Sequence, residues 1–247
     1  IVKFKELSFS LVPSSYSDAY VEDKTFNSLI AKTIAECINR KKELIPIPVS
    51  ITWLGEKWMN DEKIHAHANV LIYRAATNSI EHFEPHGSYL FTPRHITYTT
   101  YPNDIKIQEK IQQFIDEINV ELKKYKLPDV TLITSDICCP YRRGLQGIEG
   151  TLKGKITKTG KKETEGYCAA WSLLFIELIL KNPKLDSTTI NKIIFKDVLS
   201  SHKNRKPAYL RNVIRGFVIS VDEKVRNYFS EMFGAQLDLE DVYGGNF

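Results

Sequence analysis

Three residues of this sequence have the types and the order to do chemistry together: His67, Glu84 and Cys168. In Gly166-Tyr167-Cys168-Ala169-Ala170-Trp171-Ser172 the thiol opens a long apolar run with the period of a helix. A thiol placed there faces unpaired backbone N–H groups and the positive end of the helix dipole, both of which stabilise a thiolate. His67 enters the run Ala68-Asn69-Val70-Leu71-Ile72-Tyr73, and Glu84 closes the next run, 17 residues further on. An imidazole beside a thiol removes its proton, and a carboxylate holds that ring in its useful tautomer and stabilises the imidazolium. This is the chemistry of a cysteine attacking a carbonyl. On the residues alone a plainer reading stays open, in which Cys168 is a buried thiol at a helix start, since free Cys is commonly core.

Neighbouring polar residues sort by strand alternation. Glu81 points to the face opposite Glu84 and is set aside. Asn69 points the same way as His67, where it either helps to position the ring or packs. His65 shares that face but precedes the strand and is expected on a solvated rim, and His82 and His86 are expected at the surface. Cys138 and Cys139 precede Pro140 at a strand end, one expected in the core and the other beside the cleft. Other motifs fail. Gly150-Thr151-Leu152-Lys153-Gly154-Lys155-Ile156 has too few residues between its glycines for a phosphate-binding loop and carries Ile where Ser or Thr must reach magnesium. Neither HExxH nor GxSxG occurs. His65 and His67 could hold a metal with His82, Glu84 or Cys168, but no second metal-type pair stands at familiar spacing, so no metal and no other cofactor is expected.

The elements that must position these residues follow from periodicity. Phe26, Leu29, Ile30, Ile34, Cys37 and Ile38 predict a helix over 25–41. Runs at 47–54, 67–73 and 79–84, rich in β-branched and aromatic residues, predict strands, the last two a hairpin. Ile111, Phe114, Ile115, Ile118 and Leu122 predict a helix from Asp104 that stops before Pro128, and a strand at 130–135 follows. Helices are then predicted at 168–180, at 187–199 and after Pro207. Strands in the middle with helices before, between and after them give an α+β fold.

Composition excludes several classes. The chain of 247 residues is 43% hydrophobic and 26% charged, with a formal net charge of +4, which is far from the excess of a dedicated nucleic-acid protein. The longest apolar stretch, Ala169 to Leu180, is too short for a bilayer and is broken by Glu177. The opening Ile1-Val2-Lys3-Phe4-Lys5-Glu6-Leu7 has neither an initiating Met nor the order of a signal peptide, so a fragment or processed chain without a secretory signal is expected. Four cysteines, two of them adjacent, suit reduced thiols in a cytoplasmic setting better than a disulfide framework.

The ordered set resembles a known family. His67, an apolar strand, a polar turn and a strand ending in Glu84 resemble the His-strand-turn-strand-Asp unit of the Ulp type of ubiquitin-like-protein-specific cysteine proteases. The set is similar also to adenovirus protease, where the acidic member is Glu. In that clan the order is His, Asp or Glu, Gln, Cys. The strand at 130–135, then Gly144-Leu145-Gln146-Gly147 as a loop, then Cys168 follow that order. Phe83-Glu84-Pro85-His86-Gly87 with Gly166-Tyr167-Cys168-Ala169-Ala170-Trp171-Ser172 looks most like the versions of large DNA viruses. The resemblance covers roughly residues 45–180 and departs from the clan twice. Ala68 stands where a Trp usually follows the His, so the aromatic wall over a substrate tail falls to Trp53 or Trp171. Residues 147–166 also lengthen the Gln-to-Cys interval, bringing Lys153, Lys155, Lys158, Lys161 and Lys162.

The resemblance implies a papain-like cysteine peptidase fold, a central mixed sheet flanked by helices with Cys168 at the N-terminus of a buried helix. It implies Cys168 as nucleophile, His67 as base, Glu84 as orienter and Gln146 as oxyanion donor, with Trp53, Trp171 and Asn69 near the substrate. The expected organisation is an N-terminal helical extension over 1–44, a catalytic core over 45–182 with a basic insertion at 147–166, and C-terminal helices over 183–247 packed on it. The implied substrates are ubiquitin, a ubiquitin-like modifier or a viral polyprotein, in the host cytoplasm or a virion, with a weak acidic-protein or nucleic-acid contact through the five lysines and no membrane. Two alternatives are a coenzyme A-dependent protein acetyltransferase of the same clan and a binding module with a vestigial triad.

Overall fold

The computed structural model describes residues 24–54, 64–87, 104–141, 144–149, 167–201 and 206–233. The lysines at 153, 155, 158, 161 and 162 lie outside the described residues, as does most of the insertion. The elements are α1 (Lys24–Asn39), β1 (Leu44–Leu54), β2 (Ile64–Arg74), β3 (Ser79–Phe83), α2 (Asp104–Lys124), β4 (Thr131–Ile133), α3 (Ser135–Cys138), α4 (Leu145–Glu149), α5 (Cys168–Lys181), α6 (Ser187–Ser201) and α7 (Lys206–Phe233). The strands form one mixed sheet in the order β1-β2-β3-β4, antiparallel across the first two pairs and parallel at the last. A parallel pair cannot be closed by a tight turn, and the chain crosses from β3 to β4 through α2. The β2–β3 hairpin turns at Asn78, whose φ of 47° suits an Asn side chain that bonds locally.

Both faces of the sheet are covered, which explains why the middle strands read as nearly continuous apolar runs. On one face Ile47, Val49, Leu71, Tyr73 and Ile80 pack with Ile30 and Ile34 of α1 and with Ile111, Ile115 and Ile118 of α2. On the other Val70, Ile72 and Phe83 pack with Phe175 and Ile179 of α5 and Ile190 of α6. The Phe83 and Phe175 rings stack at 3.7 Å. A third cluster joins Leu145 of α4, Trp171 of α5, Phe195 of α6 and Leu210 and Ile214 of α7. Helix α5 is thereby held on two sides, which fixes where its N-terminus lies against β2.

Three expectations change. Strand β2 begins at Ile64, so His65 lies within it, opposite Trp53 in register, and His67 is three residues inside. The segment around Gln146, expected as a loop, is the short helix α4. Five residues give too little sequence for a helical period to show. Cys138 and Cys139 are both buried, past the end of β4. No helix among the described residues is long and apolar enough to cross a membrane.

Candidate active site

Strand β2 carries His67, the residue after β3 is Glu84, and antiparallel pairing sets the two side chains on one face. His67 Nε2 lies 2.6 Å from Glu84 Oε1, with the side chains 4% and 2% exposed. The same oxygen accepts the His86 backbone N–H at 2.9 Å. The Glu84 backbone N–H points at Cys139 Sγ, 3.5 Å away. With Nε2 on the carboxylate, Nδ1 is the nitrogen left for the thiol, and His67 and Cys168 share a side-chain hydrogen bond.

Helix α5 delivers the thiol from the other face. Its Ser172 hydroxyl donates to the Ala68 carbonyl at 3.2 Å, tying the N-terminal half of the helix to the residue after His67. Burial alone would push the Cys168 thiol up. The His67 hydrogen bond and charge, with backbone N–H groups of Ala68 and Ala169, outweigh it and hold the thiol below its usual range. Burial likewise works against a charged His67, but Glu84 and the Cys168 hydrogen bond raise that ring to about 10. Glu84, buried against its charge, is held below the ordinary carboxylate range by His67. Together these shifts favour a thiolate–imidazolium pair next to an ionised carboxylate.

His82 and His86 are not surface residues. His82 is 1% exposed and its Nε2 is 2.8 Å from Asn69 Oδ1. The His86 ring is half-buried, tilted 45° against the His67 ring at 4.7 Å between centroids. Burial lowers both to about 4, the Glu84 carboxylate opposing the shift and the His67 charge adding to it. Asn69 is 0% exposed and Trp171 is 1% exposed within the third cluster, so neither offers a surface to a substrate. Of Trp53, only its place in β1 is described.

Gln146 sits beside the Glu84 turn. Its backbone N–H donates to the Pro85 carbonyl at 3.0 Å, and the Gly144 N–H donates to the His86 carbonyl at 2.5 Å. A Cβ at Gly144 would collide with Gly87 N and Pro85 O, and Gly87 itself has a φ of 96°, so the two backbones meet this closely because both positions are glycine. Gln146 is 7% exposed and its Oε1 bonds no protein atom. Among the described residues no group of three or more His, Cys, Asp or Glu could hold a metal ion.

Glu81, on the opposite face as alternation requires, belongs to a separate network. Arg74 Nε donates to Glu81 Oε1 at 2.7 Å, and Ser187 donates to Oε2 through its hydroxyl at 2.5 Å and its backbone at 3.2 Å. The guanidinium also reaches the carbonyls of Pro183 and Leu185, so this network fastens the start of α6 to the sheet.

The buried histidines predict how stability changes with pH. Between their ordinary value of 6.5 and about 4, the unfolded chain binds protons at His82 and His86 that the folded protein excludes. Stability therefore declines as pH falls through this window and levels off below it. His67 and Glu84 act at other edges. The His67 contribution is complete below 6.5 and is lost as pH rises through about 10. That of Glu84 is complete above 4.5 and is lost as pH falls through its depressed folded value. The thermal midpoint should fall between pH 6.5 and 4, and His82→Gln, which keeps an amide donor for Asn69, should flatten part of that fall. An unchanged slope in the variant would show that His82 is already protonated in the folded protein.

No family model matches the chain. Over 171 residues, 66% of its length, the chain is 23% identical to a protein of Acanthamoeba polyphaga mimivirus named as an ankyrin repeat protein, and the match spans only 19% of that relative. Among solved structures the chain is similar to ChlaDub1 from Chlamydia trachomatis with a TM-score of 0.40 and 12% sequence identity, over 83% of this chain and 79% of that one.

Proposed function

We propose that this chain is a cysteine peptidase of the Ulp and adenovirus-protease type, which hydrolyses peptide or isopeptide bonds after a Gly-rich tail. The observation that carries the reading is the relay of Cys168 at a helix start, His67 and Glu84, in which the first two are shifted toward a thiolate–imidazolium pair. In this reading the Cys168 sulfur attacks the scissile carbonyl, and the carbonyl oxygen takes up the negative charge of the tetrahedral intermediate. The Cys168 backbone N–H and the Gln146 carboxamide donate to that oxygen, each such donor being worth about 3 kcal/mol in the transition state. His67 gives its proton to the leaving amine, and the acyl group stays on sulfur as a thioester. Water, deprotonated by His67, then attacks the thioester and returns the thiol. No step asks for a metal or an organic cofactor.

The proposed substrates are ubiquitin, a ubiquitin-like modifier or a viral polyprotein, whose small-residue tail fits a narrow cleft. Trp53 is the proposed wall over that tail. Lys153, Lys155, Lys158, Lys161 and Lys162 are the proposed contact for an acidic partner. The test is release of a fluorophore from the C-terminus of ubiquitin and of ubiquitin-like modifiers with no coenzyme A present. Hydrolysis of any of them supports the reading. No hydrolysis, with acetyl transfer once acetyl coenzyme A is added, would assign the same relay to the acetyltransferase alternative.

A further inference from the structure

Glu149 and Tyr167, 18 positions apart in sequence, meet at one side chain. Glu149, the last residue of α4, pairs through its carboxylate with Arg211 Nε of α7, both side chains 3% exposed. Tyr167, the residue before Cys168, lies with its ring centroid 5.0 Å from the Arg211 guanidinium carbon. We propose that Arg211 is a positioning residue, which clasps the end of α4 to the start of α5 and so fixes the Gln146 carboxamide relative to the Cys168 thiol. The catalytic consequence rests on the peptidase reading above, whereas the clasp itself does not.

A guanidinium suits this place because it is planar and charged: it pairs with a carboxylate while its face lies on a ring. A buried ion pair adds little net stability over apolar residues of similar volume, so its value here lies in geometry. Helix α4 has five residues and cannot hold its own orientation. Its start is bonded to the turn at Pro85 and His86, its Leu145 joins the cluster around Trp171, and its end is held by Arg211. The Gln146 side chain makes no protein bond through Oε1, so the helix aims it. The thiol's contact with His67 is held separately, by α5 docking on β2 through Ser172. Loss of the clasp should therefore disturb oxyanion binding and spare the thiolate.

The test compares Arg211→Met with the double variant Arg211→Met, Glu149→Leu, which removes the carboxylate left unpaired by the single change. The single variant should be less stable and the double variant should recover. In the double variant, alkylation of Cys168 by iodoacetamide should stay within about threefold of wild type, because that reaction uses the thiolate and no oxyanion site. Its kcat on a ubiquitin C-terminal fluorophore should fall about 10- to 100-fold with KM within about threefold. Backbone hydrogen exchange over 145–149 should speed up while that of 67–73 stays the same. Recovered stability together with wild-type kcat and wild-type exchange over 145–149 would overturn the proposal. If the wild-type protein hydrolyses no substrate, the peptidase reading fails by itself. The exchange measurement then decides the clasp, and unaltered exchange overturns it.

Discussion

Cys168→Ala is expected to abolish turnover and leave the fold intact, because the change removes only a sulfur at the half-buried start of α5. His67→Ala should remove activity nearly as completely. Members of a nucleophile–base pair act as a unit, so each loss costs about a thousandfold or more in kcat. The two variants differ in stability. Without His67 the Glu84 carboxylate, 2% exposed, loses its charged partner, so His67→Ala should also unfold at lower temperature. Steady-state hydrolysis beside thermal unfolding measures both. Residual activity above about a hundredth of wild type in Cys168→Ala would place the nucleophile elsewhere.

Glu84→Gln and Glu81→Gln should separate chemistry from structure. An amide at 84 still holds the ring but cannot stabilise imidazolium, so kcat should drop about 10- to 1,000-fold. At 81 alternation alone suggests a neutral change, but the carboxylate is 6% exposed and neutralises buried Arg74 while bonding Ser187. Losing that charge should lower stability on the order of 3 kcal/mol while turnover at low temperature persists. Kinetics and unfolding of both variants check this. A large kcat loss at 81 with unchanged stability would contradict the β2–β3 register.

Much of the site's positioning was legible in the sequence, because the physics that carries it is local. Alternation within one strand set Glu81 apart from Glu84, and the apolar period from Cys168 placed the thiol at a helix start, where the structure has it. His82 was not legible. A charged-capable residue between Glu81 and Phe83 reads as solvent-facing only if one face of the sheet is wet, and β3 is buried on both. His86 was hidden for another reason: the turn through Pro85 to Gly87 folds its ring back onto His67, and no periodicity encodes a turn of this kind. Trp171 shows the limit of reading an aromatic beside a nucleophile as a substrate wall. At three residues into α5 it points into the cluster with Leu210 and Ile214. Arg211, a single basic residue in a helix read only for its apolar period, gave no sign that Glu149 and Tyr167 would close around it.

The most direct measurement of the central claim is labelling by electrophilic probes built on the C-termini of ubiquitin, ubiquitin-like modifiers and Gly-Gly peptides, followed by locating the modified cysteine. The thiols of Cys138 and Cys139 are buried and pushed up, the latter to about 12, and Cys37 is raised by burial, so none of them should compete at neutral pH. A single adduct on Cys168 is expected with at least one modifier-based probe, lost in His67→Ala. Modification of Cys37, Cys138 or Cys139 with Cys168 untouched would contradict it.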